Sequence, residues 1–187
     1  YLNLSSSLRG GRIPHQLGKL TSLRCLDLSY NFIPREIPYQ LGNLSQLRYL
    51  DLSNNHFDRA IPYQLGNLSQ LRYLDLSNNH FDGAIPYQLG NLSQLTYLDL
   101  SNNHHLMEFS SLFSGVIPFQ VGNLPILHTL RLHGNFDLKI NNAKWLSSLS
   151  SLTTLVLESL SNLGSSHHWL QMINKLIPSL RELRLVN

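Results

Sequence analysis

The sequence predicts an α/β solenoid, in which short rows, each a parallel β-strand and a helical turn, stack so that the strands line one face. Three observations predict it. The stretch IPYQLGNLSQLRYLDLSNNHFD stands at 37–58 and again, unchanged, at 61–82, and a third copy from 85 holds, but for Thr96, through His104. The pattern L-x-x-L-x-L-x-x-N recurs at 23–31, 47–55, 71–79 and 95–103, always at the same spacing. Within a copy, Leu50, Asp51 and Leu52 alternate as a strand does when one face is buried. Self-similarity at a fixed period takes precedence over local propensity in assigning such a fold.

The rows follow in order. Leu2 and Leu4 align with Leu26 and Leu28, so the sequence begins inside a row. Four regular rows come next. A fifth match at 127–135 follows after a longer interval, one row plus the insertion HHLMEFSS at 104–111. Leu152, Leu155 and Leu157 carry a further row, with Leu160 where asparagine is expected, and Leu180, Leu183 and Leu185 begin the last. Residues 1–187 therefore read as one solenoid of about eight rows, the first and last incomplete. In each row the leucines of the strand point inward and the aspartate outward. Ile61, Leu65 and Leu68 also face the core, Pro62 opens a short helical or 3₁₀ stretch on the convex side, and Gly66 closes it. Asn31, Asn55, Asn79, Asn103 and Asn135 form a column, read as a buried ladder of amides that satisfies backbone groups where the chain leaves the strand. The period and motif are those of a leucine-rich repeat.

Composition narrows the function. Only 13% of the residues are charged and the net charge is +3, which does not make a nucleic-acid surface. Cys25 is the single cysteine, so no disulfide forms within the chain. No run of about 18 apolar residues occurs, so this segment itself makes no membrane contact. No nucleophile–base–acid set, G-x-S-x-G turn or phosphate-binding glycine loop is present, and no enzyme or cofactor is expected. The histidine pairs at 104–105 and 167–168, with His56 and His80, are read as surface residues, because zinc needs about four converging ligands. Asn3, Asn43, Asn67 and Asn91 lie in N-x-[S/T] sequences and are candidate glycosylation acceptors. Outward strand positions are candidates for a concave binding surface. The column Cys25, Tyr49, Tyr73, Tyr97, Thr129 lies beside Asp27, Asp51, Asp75, Asp99, Arg131 and the arginines Arg24, Arg48 and Arg72. Tyrosine is a frequent anchor at interfaces; the alternative is that tyrosines stack and arginines pair with aspartates merely to solvate the sheet. Identical rows do not discriminate between ligands, so selectivity is expected where rows differ, at His128, Arg131, His133, Glu158 and the insertion.

The unit LxxLxxLDLSxNxFxGxIPxxLGNL resembles the plant-specific class of extracellular leucine-rich repeats found in receptor kinases, receptor-like proteins and polygalacturonase inhibitors. Its markers are the Ile-Pro pairs at 13–14, 37–38, 61–62, 85–86 and 117–118, with the preceding glycine present as Gly11, Gly83 and Gly115 and replaced by Arg35 and Arg59. The segment 144–185 is similar to receptor-like protein ectodomains of the fungal-elicitor receptor type, through Trp145, Leu146, Ser147, Leu149, Leu152, Trp169, Leu170, Gln171, Ile173, Asn174, Leu176, Pro178 and Leu180. The family's paired-cysteine cap, C-terminal cap, membrane helix and kinase domain are not in this sequence, which reads as a segment or truncated product of a larger ectodomain. The resemblance implies a non-catalytic recognition segment of a plant cell-surface receptor in defence or developmental signalling. It implies an extracellular glycoprotein at the plasma membrane or wall, with a peptide, protein or cell-wall glycan ligand and a co-receptor kinase as partners. The alternative is an inhibitor of cell-wall hydrolases of the polygalacturonase type, or a wall-polysaccharide binder.

Overall fold

The computed structural model describes residues 1–103, 119–133, 144–158 and 168–186. Short strands form at each leucine alternation: β1 (Leu2–Asn3), β2 (Cys25–Asp27), β4 (Tyr49–Asp51), β6 (Tyr73–Asp75), β7 (Tyr97–Asp99), β8 (Thr129–His133), β9 (Thr154–Glu158) and β10 (Glu182–Val186). They make one eight-stranded parallel sheet in chain order. The register keeps like on like, with Leu50 opposite Leu74 and Leu74 opposite Leu98. Two further strands, β3 (Pro34–Arg35) and β5 (His56–Phe57), pair beyond the turn.

No row buries its leucines alone. Leu50, Leu52, Leu65, Leu68, Leu71, Leu74 and Leu76 lose all contact with solvent only because a row lies on each side. Phe57 and Phe81 stack beneath the second turn with centroids 5.7 Å apart. The asparagine column ties the rows together. The Asn55 amide donates to the carbonyls of Leu28, Leu52 and Ser53 at 2.9–3.1 Å, and Asn79 does the same to Leu52, Leu76 and Ser77 at 3.0–3.2 Å. Asn31 and Asn103 repeat the arrangement. Asn55 Oδ1 then accepts the amide of Ile33, and Asn79 Oδ1 that of Phe57. Asn135 lies outside the described residues.

The convex side differs from expectation in one detail. The 3₁₀ segments, among them Tyr39–Asn43, Tyr63–Asn67 and Tyr87–Asn91, do follow a proline. Gly66, however, lies within its segment instead of ending it. Its role is close approach: a Cβ built there would overlap the carbonyl of Gln88 in the next row. The segment Lys144–Ser148 is still 3₁₀, and only the last row departs from that geometry. An α-helix, α1 (His168–Leu176), replaces the turn before β10, seats Ile173 and Ile177 in the core, and lets β10 stay in step with β9, Leu183 opposite Leu155.

The glycine two residues before each Ile-Pro pair has a conformational reason. Gly11 and Gly83 take positive φ, 101° and 78°. Arg35 adopts the same left-handed backbone at φ 72°, whereas Arg59 does not. A side chain in this region costs about 1–2 kcal/mol.

Two stability changes follow from this packing. Gly66→Ala forces adjacent rows apart and lowers unfolding free energy by about 1–3 kcal/mol. Arg35→Gly raises it by about 0.5–1 kcal/mol, the relieved strain less the greater chain entropy of glycine. Urea titration followed by far-UV circular dichroism measures both, and the two shifts have opposite signs.

Candidate ligand-recognition surface

The outward residues of the sheet are locked to one another. Tyr49 stacks on Tyr73 at 4.4 Å with 10° between ring planes, and Tyr73 on Tyr97 at 4.3 Å and 7°. Each tyrosine hydroxyl donates to Oδ2 of the aspartate two residues on: Tyr49 to Asp51, Tyr73 to Asp75 and Tyr97 to Asp99, at 3.0–3.2 Å. The other carboxylate oxygen accepts the serine that follows. Ser77 reaches Asp75 Oδ1 through its backbone N–H at 2.9 Å and its hydroxyl at 2.6 Å, and Ser101 serves Asp99 in the same way. The aspartates therefore do not project into solvent as the alternation suggested. Asp51, Asp75 and Asp99 are only 9%, 8% and 4% exposed, because the stacked rings close over them. The arginine–aspartate pairing of the alternative reading is not formed, among the described residues, by Arg24, Arg48 or Arg72. Among the described residues it occurs at the end of the column, where Arg131 Nε lies 3.7 Å from Asp99 Oδ2. That Nε is buried and has no hydrogen-bond partner.

Burial changes the acid–base behaviour of this face. Desolvation, reinforced by Asp99 and Asp51 and opposed by the Ser77 hydrogen bonds, raises the Asp75 carboxyl from 3.8 to about 6. Burial followed by the neighbouring carboxylates pushes the hydroxyls of Tyr49, Tyr73 and Tyr97 above their ordinary range. Burial also raises the Cys25 thiol, with Asp27 next in effect.

The remaining candidates fall into three groups. His128 is exposed beside Thr129, and the β8–β9 register sets His133 opposite Glu158 and Arg131 opposite Val156. Asn43, Asn67 and Asn91 are exposed at the ends of their 3₁₀ segments. Asn3 instead lies in β1, its amide donating to Asp27 and its oxygen accepting from Ser5. The insertion 104–111, with His104 and His105, and also Gly115, the pair at 117–118, Leu160 and His167, lie outside the described residues.

One feature escaped the sequence reading. Where rows turn off the sheet, an open groove of about 350 Å³ runs across four of them. Its floor carries Asn54, Asn78 and Asn102, all with left-handed backbone at φ 52–55°. Beside them stand the rings of Phe32, His56 and His80. His56 and His80 lie parallel within 1°, centroids 5.6 Å apart, with Nδ1 of one 3.4 Å from Nε2 of the other. The signal was the repeated N-N-H, in which the first asparagine is needed for its backbone and the second for the ladder.

Ionisation of Asp75 opposes folding. Between pH 3.8 and about 6 the native state binds more protons than the unfolded chain, so stability falls as pH rises through this window, by up to about 3 kcal/mol. Asp75→Asn keeps an acceptor for Ser77. It flattens the pH dependence of the thermal midpoint between pH 4 and 6 and raises the midpoint at pH 7, as scanning calorimetry at several pH values measures.

Among the described residues no helix is long and apolar enough to cross a membrane, and no three His, Cys, Asp or Glu side chains converge as metal ligands. The model of the leucine-rich repeat region matches residues 37–187, and that of the leucine rich repeat matches 1–57. Comparison with curated proteins returns no match. Solved structures do match. The ectodomain of the Arabidopsis thaliana membrane receptor kinase GASSHO1/SCHENGEN3, in complex with CASPARIAN STRIP INTEGRITY FACTOR 2, is 28% identical; the match covers 100% of this chain and 27% of that one, with a TM-score of 0.67. The Arabidopsis HAESA ectodomain, in complex with an N-terminally extended IDA peptide hormone, is also 28% identical, covering 100% and 34%, with a TM-score of 0.71. A chain of the BIR3–SERK2 complex from Arabidopsis thaliana is 32% identical over 88% of this chain and 73% of that one, with a TM-score of 0.58. The chain thus spans about a quarter to a third of the two peptide-bound ectodomains. The parallel sheet, the asparagine ladder and these matches have one conclusion: the chain belongs to the leucine-rich repeat family and shares the solenoid of plant receptor-kinase ectodomains.

Proposed function

We propose that this chain is a non-catalytic recognition segment of a plant cell-surface receptor in defence or developmental signalling, and that it contributes to binding a peptide or protein ligand outside the cell. The observation that carries the reading is the break in the concave columns. From Tyr49 to Tyr97 the outward groups repeat and satisfy one another, tyrosine on tyrosine and hydroxyl on carboxylate. At β8 the column changes to His128, Thr129 and Arg131, whose buried Nε lies beside Asp99 while the side chain as a whole stays 39% exposed. A surface whose partners are already paired has little to offer a ligand, whereas the exposed part of a guanidinium rewards an acceptor that reaches it. The peptide-bound ectodomains of the same fold support this reading, and the exposure of the candidate glycosylation acceptors Asn43, Asn67 and Asn91 is compatible with it. A partner kinase would carry the signal onward.

On this reading the rows between 37 and 103 are chiefly scaffold. Selecting an extended-peptide library against the chain and re-measuring the selected peptides on variants tests it. Arg131→Ala weakens them by about tenfold or more. Deletion of one full row, 61–84, leaves affinity within about twofold. Loss of binding on row deletion, with the fold intact by circular dichroism, overturns the scaffold assignment. Failure to select any peptide, with saturable binding to a polygalacturonase, favours the hydrolase-inhibitor alternative.

A further inference from the structure

We propose that the tyrosine column ends in an open subsite over Thr129, and that the peptide ligand inferred above anchors there with a tyrosine side chain stacked on Tyr97. This rests on the peptide-recognition reading and adds to it the residue by which the ligand is held. Tyr49, Tyr73 and Tyr97 stack at 4.3–4.4 Å, close to the separation of paired strands, about 4.8 Å. The register then sets Thr129 opposite Tyr97, Thr154 opposite Thr129 and Glu182 opposite Thr154. Threonine is far shorter than tyrosine, so the surface steps down beyond Tyr97 and stays low for a second row. Among the described residues Tyr97 stacks on one ring alone, that of Tyr73. A further ring laid over Thr129 continues the column at its own spacing, and aromatic pairs attract beyond their shared apolar area.

The polar end of the ring decides which aromatic residue fits. Each tyrosine of the column reaches the residue two positions on, as the Tyr97 hydroxyl reaches Asp99 at 3.0 Å. In the next row that place belongs to Arg131. A ring in the same orientation over Thr129 brings its hydroxyl to a guanidinium side chain that is 39% exposed. An aspartate there would need a donor; an arginine needs an acceptor, and a phenolic oxygen is both. Phenylalanine supplies the ring without the oxygen, and leucine supplies neither.

The other end of the column does not offer the same fit. Tyr49 faces Cys25 there, and the residue two positions on is Asp27. Its carboxylate already accepts from Asn3 at Oδ2 and from Ser29 at Oδ1. A ring over Cys25 therefore finds its polar partner taken, whereas a ring over Thr129 meets one with donors facing solvent.

NMR of the chain titrated with the capped tripeptides Ala-Tyr-Ala, Ala-Phe-Ala and Ala-Leu-Ala tests the subsite. Ala-Tyr-Ala moves the Thr129 methyl signal upfield, because the methyl lies against a ring face, and leaves Cys25 unmoved. Ala-Phe-Ala binds about three- to fivefold more weakly, and Ala-Leu-Ala about five- to tenfold more weakly. Thr129→Tyr supplies the missing ring from the chain itself and lowers affinity for Ala-Tyr-Ala at least about tenfold. Arg131→Leu makes the tyrosine and phenylalanine peptides equal, while Lys19→Ala on the convex side changes nothing. Should Thr129→Tyr fail to fold, Tyr97→Leu decides, weakening Ala-Tyr-Ala by about three- to tenfold. An unmoved Thr129 methyl, equal affinity for the tyrosine and leucine peptides, shifts at Cys25 instead, or undiminished binding to Thr129→Tyr overturns the proposal. Library-selected peptides that lack an aromatic residue and ignore Thr129→Tyr also overturn it, while the receptor reading stands. A library that yields no peptide, with the Ala-Tyr-Ala shifts present, defeats the receptor reading and leaves the subsite in place.

Discussion

The structure depends on one amide per row. Four of the regular strands are only three residues long. So few main-chain hydrogen bonds leave the turn that follows with carbonyls that lack a donor. The asparagine column closes this gap. The Leu28 carbonyl accepts from both Asn31 and Asn55, and the Leu52 carbonyl from Asn55 and Asn79. Each amide thus binds its own row and the one before it, which fixes the separation of rows as firmly as the strands do. Buried carbonyls left unpaired are costly, so the fold cannot trade this residue for an apolar one of similar size.

Once that separation is fixed, every other position becomes a column. Side chains that stack well at the strand spacing gain from repetition, as the tyrosines and phenylalanines do. Side chains that repel at that spacing need a remedy. The aspartate column is such a case: Asp51, Asp75 and Asp99 face one another at consecutive rows and are largely shut off from water. Tyrosine hydroxyls and serine donors distribute hydrogen bonds over both carboxylate oxygens, and the raised pKa of Asp75 is what remains uncompensated. Arg131 ends the column with a positive charge beside Asp99.

The solenoid was legible because its determinants are periodic. Leucine spacing gives the strand and its buried face, Ile-Pro gives the 3₁₀ start, and the asparagine marks the turn. Alternation misplaces the aspartates because it reports which way a side chain leaves the backbone and says nothing of what its neighbours then do. Whether Asp51 is solvated depends on the rings of Tyr49 and Tyr73 stacking beside it, which is a property of two rows and not of one. Local reasoning makes Gly66 a helix end, while its cause sits in the next row, at Gln88. The groove was hidden for a similar reason. Asn54 and Asn55 are adjacent in sequence, yet one is turned outward by a left-handed backbone and the other is sunk in the ladder. The α-helix before β10 carries a row longer than the regular ones, and the extra length is absorbed where curvature is least constrained, on the convex side.

The sameness of the rows at 37–58 and 61–82 also shapes how the chain reaches its native state. Because the two segments are letter for letter alike, a strand of one can dock where the other belongs with every column matched, leaving a whole row looped out and no local penalty to signal the mistake. The energy landscape is then degenerate along the solenoid axis, and only the dissimilar neighbours break the tie. Tyr30, Phe32 and Pro34 on one side and Thr96 on the other mark the ends of the repeated block and tell the chain how many copies should lie between them. Recurrence that makes stacking easy thus makes counting hard, and the irregular residues serve as its index marks.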